Sequence, residues 1–236
     1  MRRVQRENAP ALDRLCAEVC EANRMLADRN LIIQTEGNAS GRWQNWMAIK
    51  PSGVPYNKLE PDMIVVVDIT TGEWLDPTGF APSSDAPTHL VLYKHFGEKI
   101  GGIVHTHSPS AVAFGQMGMS IPCYGTTHAD EFFGEIPVTR TLTPSEIATE
   151  YEENTGRILA EKLDPLKMPA ALVYGHGPFI VGPDARTTVA RAEVLEKVAS
   201  IAISMHTLGD PKPIPRELME KHWMRKHGKE KYYGQK

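Results

Sequence analysis

The chain has 236 residues, 41% of them apolar, with 26 basic and 29 acidic side chains and a formal charge of −3 at pH 7. That length suits one large core and predicts a single domain over residues 1–236, while the near-neutral balance argues against nucleic acid as a partner. No run of 18 apolar residues predicts a membrane span, and the first residues carry no apolar segment of a secretion signal, so a cytoplasmic protein with no membrane partner is expected.

In chain order, Leu12, Leu15, Cys16, Val19, Cys20, Asn23 and Leu26 recur at steps of three and four, predicting an amphipathic helix that ends near Asp28. Cys16 and Cys20 read as small core hydrophobes. With Cys123 they make an odd count without a Cys-x-x-Cys pair, which predicts neither a disulfide framework nor a thiolate zinc site. Short β-rich runs follow at residues 31–35, 46–50, 63–69 and 73–75, the last two joined by a Thr71-Gly72 turn. Residues 88–97 return to helical spacing.

The apolar run Gly101-Gly102-Ile103-Val104 then predicts a strand leading into His105-Thr106-His107. A helix over about 109–118 and an irregular stretch through residues 125–130 come next. Residues 145–162 are expected to be helical, with Thr143-Pro144-Ser145-Glu146 as a capping sequence. Strands at 170–174 and 179–181 flank a turn that holds His176, and residues 185–208 form the longest helical pattern. Pro211, Pro213 and Pro215 break the chain before a short helix near 216–227 and a Tyr-Tyr-Gly tail. Its basic stretch, residues 221–231, is interleaved with His and Glu and reads as a solvated helix or an anionic small-molecule site. The pattern predicts an α/β fold, an α/β/α sandwich with a mixed, largely antiparallel central sheet.

Two constellations carry chemistry. On a strand, His105 and His107 project from one face, so both imidazoles can reach one ion, and His176 supplies a third. A hydrogen-bonded core strand also carries such doublets, but Asp85 and His176 beside predicted strand ends turn the pattern toward a divalent metal with an open position for Lewis-acid work on an oxygen. Zn2+ fits the imidazole set best, and Mn2+, Co2+ and Ni2+ also suit it. The second constellation is for an anion. Gly37, Asn38, Lys50, Ser52, Gly53, Ser83 and Ser84 together supply exposed amides, hydroxyls, a carboxamide and an ammonium, the donors a phosphate needs.

The order Gly37-Asn38, Lys50-Pro51-Ser52-Gly53, Pro82-Ser83-Ser84-Asp85-x-Pro-Thr-His89, His105-Thr-His107, Gly125-Thr-Thr-His-Ala-Asp130, His176-Gly-Pro-Phe, Lys221-His222, Arg225-Lys-His-Gly and Tyr232-Tyr233-Gly234-Gln235 resembles the L-ribulose-5-phosphate 4-epimerase family of the class II aldolase and epimerase superfamily, over nearly the whole chain. The resemblance implies a fourfold homotetramer with active sites between subunits and the tail, residues 211–236, docked at an interface. It implies His105, His107 and His176 as metal ligands, with Asp85 as a fourth ligand or a close neighbour of the ion. Gly37, Asn38, Lys50, Ser52, Gly53, Ser83, Ser84, Asp85 and Thr126 would hold the phosphorylated sugar. Asp130 and Tyr233 would move the proton on opposite sides of the reacting carbon, supported by His222.

The implied reaction interconverts L-ribulose 5-phosphate and D-xylulose 5-phosphate. C4 has no acidic proton, so inversion proceeds by cleavage of C3–C4 to an enediolate and an aldehyde, rotation of the aldehyde, and re-addition. The alternative is an aldolase or related lyase on another phosphorylated ketose. L-fuculose-phosphate aldolases resemble the chain in the His-x-His strand and phosphate loops, but carry glutamate where Asp85 stands. The chain departs from the epimerase pattern at Glu36, where that family has tryptophan, and at Tyr174, where it has histidine.

Overall fold

A computed structural model describes residues 9–75, 79–229 and 231–232. Its strands are β1 (Asn38–Trp43), β2 (Trp46–Ile49), β3 (Val65–Asp68), β4 (Trp74–Leu75), β5 (Gly102–His105), β6 (Ala170–Leu172) and β7 (Pro178–Gly182). They form one sheet in the order β4-β3-β2-β1-β5-β7-β6, and every neighbouring pair is antiparallel. The expected mixed character is therefore limited, among the described residues, to an isolated parallel bridge between Val138 and Leu172.

Alternation along the strands builds two cores. Ala48, Val66, Val104 and Ile180 face one way and pack with Leu15, Val19, Val189 and Leu195 of α1 (Ala9–Asp28) and α7 (Ala185–Leu208). Met47, Ile49, Val65, Val67, Ile103, Phe179 and Val181 face the other way, against Leu92 and Tyr93 of α2 (Ala86–Phe96) and Leu159 of α6 (Tyr151–Ala160). With both faces covered, β2, β3, β6 and β7 read as near-continuous apolar runs, and the sandwich follows from burying both. The remaining helices are α3 (Pro109–Met117), α4 (Thr126–Glu131), α5 (Pro144–Ala148) and α8 (Arg216–His227).

The sequence reading and the structure diverge at four places. Residues 31–35 form no strand; the chain turns through Gln34 at φ 51°, with the Glu36 amide donating to the Ile33 carbonyl. The central strand β1 reads in sequence as a glycine loop because its inward positions are small. A Cβ at Gly41 would lie 2.8 Å from Val19, so close seating of α1 takes the place of an apolar alternation. Residues 126–131 are helical, not irregular, and the long helix expected over 145–162 breaks at Thr149 and Glu150 into α5 and α6. At its start the Thr143–Glu146 capping box is present.

Candidate active site

β5 ends at His105, in the centre of the sheet, paired with Asn38 on one side and Phe179 on the other. The His105 ring stacks on Phe179 at 4.2 Å and 15°, and its Nδ1 lies 3.0 Å from the Pro178 carbonyl. A carbonyl only accepts, so Nδ1 carries the proton and the Nε2 lone pair is left free. His107, two residues on, lies beyond the strand, held by its amide to the Leu31 carbonyl. Its Nδ1 faces a carboxylate oxygen of Glu36 at 3.3 Å, and its Nε2 lies 3.0 Å from Nε2 of His105.

His176 arrives from the turn between β6 and β7, where Gly177 lets the chain press on the Thr106 carbonyl; a Cβ there would lie 2.7 Å away. The ligand nitrogens of His105, His107 and His176 all lie within 4.8 Å of one another. Burial first, then the neighbouring imidazoles, holds His105 far below the usual histidine range, and His176 is lowered for the same reasons in the same order. Both are neutral at neutral pH, the form that ligates a metal. Free lone pairs facing each other at 3.0 Å repel unless a cation or proton lies between them, and Nδ1 of His176 is buried without a hydrogen-bond partner. The donor set therefore fits a divalent ion.

The second group of expected residues meets the first in a cavity of about 430 Å³. Lys50 and Pro51 continue from β2, and the 81–83 segment runs alongside, with the Ser52 amide on the Ala81 carbonyl and the Ser83 amide on the Lys50 carbonyl. This pairing brings Ser52 and Gly53 to Ser83 and Ser84 at the mouth of α2. Asp85 stands at the start of α2, where its Oδ2 accepts from Nδ2 of Asn38 at 2.6 Å; Ser83 Oγ accepts from the same amide at 3.1 Å. Asp85 lines the cavity with the triad but is not among the clustered metal-ligating atoms.

Lys50 is 2% exposed, and burial lowers its ammonium to about 8. Its Nζ is met by the carbonyls of Thr35 at 3.4 Å and Pro51 at 3.3 Å. A larger hollow of about 720 Å³ lies elsewhere, at Phe96, Lys99 and Leu166, and holds none of these donors.

Asp130, His222 and Thr126 lie outside the cavity of their own chain. Thr126 opens α4 and Asp130 lies near its end, 8% exposed, against α8. Arg225 grips the Asp130 carboxylate with Nε on Oδ1 at 2.9 Å and Nη2 on Oδ2 at 2.5 Å, while Nδ1 of His222 meets Oδ1 at 3.1 Å. Burial pushes the Asp130 carboxyl up, but the Arg225 and His222 hydrogen bonds outweigh it and the net shift is downward. Tyr233 lies outside the described residues. Tyr174 is 46% exposed and lies against Gly118, away from the cavity.

Sequence reasoning missed Arg225 as Asp130's partner, although its spacing of three from His222 on a predicted helix places both on one face. It also missed Tyr151 and Glu152, which reach the cavity from the start of α6 and carry no local signal of it.

Fold and site define a class II aldolase-type protein with a candidate metal centre beside a buried cation. The chain belongs to the Class II Aldolase and Adducin N-terminal domain family, whose model matches residues 17–203. Within it the chain groups with L-ribulose-5-phosphate 4-epimerases: the protein of that name, UlaF, from Salmonella paratyphi C (strain RKS4594) is 46% identical over 231 residues, covering 95% of this chain and 100% of its own. The UlaF of Salmonella typhi is likewise 46% identical, with the same coverage. Among solved structures, an L-fuculose 1-phosphate aldolase aligns with a TM-score of 0.74 at 23% identity, covering 89% of this chain and 94% of that one. The L-fuculose-1-phosphate aldolase of Thermus thermophilus aligns with a TM-score of 0.66 at 25% identity, covering 84% and 97%. No helix among the described residues is long and apolar enough to cross a membrane.

Proposed function

We infer that the protein is a metal-dependent epimerase that interconverts L-ribulose 5-phosphate and D-xylulose 5-phosphate by cleaving and re-forming the C3–C4 bond, residues 1–236 acting as one catalytic domain. The observation that carries this reading is the meeting, in one cavity, of three clustered imidazoles with a buried ammonium and the serines of the neighbouring loops. Its epimerase relatives, matched from end to end, support the choice of reaction.

Lys50, Ser52, Ser83 and Ser84, with the amides around Gly53 and Gly37, hold the phosphate, and Asn38 with its partner Asp85 orients the sugar beside it. A phosphate at Lys50 supplies the negative partner that a buried ammonium lacks. It also keeps the aldehyde fragment in place after cleavage, so that re-addition competes with release. His105, His107 and His176 would hold the ion, zinc first by the donor set, with Asp85 a fourth ligand or a close neighbour. When bound, the ion supplies Lewis-acid stabilisation of the negative charge that develops at the substrate oxygens.

Inversion at C4 needs a proton acceptor and a donor on opposite faces of the aldehyde. Asp130, kept ionised by Arg225 and His222, takes one role and Tyr233 the other. Because Asp130 lies outside the cavity of its own chain, this reading has a second copy present α4 and α8 to it, with Thr126 on the same element, as in the homotetramer with sites between subunits that the resemblance implies.

Purified protein loaded with Zn2+ is incubated with L-ribulose 5-phosphate, and D-xylulose 5-phosphate is followed by a coupled assay beside a chelated control. Metal-dependent product is expected. Release of glycolaldehyde phosphate without epimer would instead assign an aldolase, and no turnover of either kind would sink the reading.

A further inference from the structure

We propose that Glu36 is a positioning residue for the metal centre: its carboxylate accepts the Nδ1 proton of His107 and so fixes that imidazole as the tautomer whose Nε2 is free to ligate. The proposal rests on the metal reading above and adds a residue to it that the epimerase resemblance does not contain.

The contact is 3.3 Å between His107 Nδ1 and Glu36 Oε2. A carboxylate only accepts, so Nδ1 is the donor, and in the neutral ring that a metal requires Nε2 then carries the lone pair. That lone pair lies 3.0 Å from Nε2 of His105, whose own tautomer is fixed by the Pro178 carbonyl at 3.0 Å. Two imidazoles of the triad are thus set by two different acceptors, one from the backbone and one from a side chain. The outer acceptor orients the ring and raises the basicity of the ligating nitrogen.

Glu36 is itself held in place. Its amide donates to the Ile33 carbonyl at 2.9 Å, and its carbonyl accepts from the Tyr56 hydroxyl at 3.0 Å, which also donates to Gly37. Gly37 follows at φ 80°, where a Cβ would lie 3.0 Å from the His105 carbonyl, so the backbone leaves Glu36 in one direction. The Glu36 backbone is therefore fixed beside the cluster, while its side chain, 57% exposed, is held by the His107 contact.

The test uses the full chain, stripped by chelation and titrated with Co2+ against a chromophoric chelator, following the visible absorption of the bound ion. Wild type, Glu36→Gln and Glu36→Ala are compared. Glu36→Ala is expected to bind Co2+ roughly tenfold to a hundredfold more weakly with an altered spectrum, and Glu36→Gln, whose amide oxygen still accepts, to fall between. The melting temperature of the stripped protein is expected to stay unchanged in both variants. Affinity in Glu36→Ala within about twofold of wild type, with the same spectrum, would overturn the proposal while leaving the metal centre standing. Absence of saturable Co2+ uptake by wild type would overturn both.

Discussion

The ammonium of Lys50 lies 4.8 Å from the centre of the Tyr56 ring, and both side chains are buried. No ion pair among the described residues involves Lys50, so the aromatic face and two carbonyls are what hold its charge. Burial lowers the group to about 8, which means that free protein carries the charge below that pH and loses it above. Affinity for a sugar phosphate is therefore expected to fall as pH rises through about 8. Lys50→Met should remove that limb and raise KM roughly tenfold to a hundredfold, the loss of a charge-assisted hydrogen bond. A KM that stays flat across this range in wild type would refute the assignment of Lys50 to the phosphate.

Removing the ion should cost stability as well as activity. With free ion at about a thousand times its dissociation constant, the bound form gains about 4 kcal/mol, a shift easily read in a melting curve. Chelation is expected to lower the melting temperature of wild type and to leave that of His176→Ala unchanged. Metal analysis should find the ion in wild type and little of it in His105→Ala. Equal melting curves for wild type with and without chelator would speak against a resident ion.

Asp130 and its partners make a separable prediction. Asp130→Asn is expected to lower kcat by roughly a hundredfold to ten-thousandfold, the usual contribution of a positioned proton carrier, with metal content unchanged. Arg225→Met leaves the carboxylate buried without its guanidinium. Its carboxyl should rise, and the acid limb of the activity profile should move to higher pH. Full turnover in Asp130→Asn would remove it from the mechanism.

Acid should loosen the fold through His128. This ring is 2% exposed, donates Nε2–H to the Gly134 carbonyl at 2.7 Å, and is lowered by burial to about 4. Because the unfolded chain takes up the proton near the ordinary value of 6.5 and the folded chain does so only near 4, stability is lost as pH falls from 6.5 toward 4. This one group should cost about 2 kcal/mol by about pH 5. Urea unfolding of the chelated protein at neutral and at acid pH measures it, and His128→Gln should shrink the difference by about that amount, leaving the part that belongs to His89, His105 and His176. Equal midpoints in wild type would contradict the assignment.

The cavity residues were legible where chemistry and local spacing coincide. His105 and His107 announce themselves two apart, and Lys50 to Gly53 with Ser83 and Ser84 announce an anion by composition. Their meeting was not legible, because it depends on the 81–83 segment pairing alongside Lys50 and Ser52. β1 was hidden for a packing reason: a strand that seats a helix on Gly41 has no bulky alternation to read. Arg225 was hidden because its partner lies 95 residues away and only the contact of α4 with α8 joins them. Tyr233, a residue the resemblance made central, lies outside the described residues.

Asn38, His105 and Phe179 form one row across β1, β5 and β7. Since side chains alternate with a period of two, a slip of β5 by a single residue would carry His105 out of this row and send Val104 into its place. With His105 as a proposed ligand, ion binding becomes a readout of strand register: a molecule that takes up metal has also aligned the middle of its sheet, and metal uptake during refolding should mark the moment that alignment is reached.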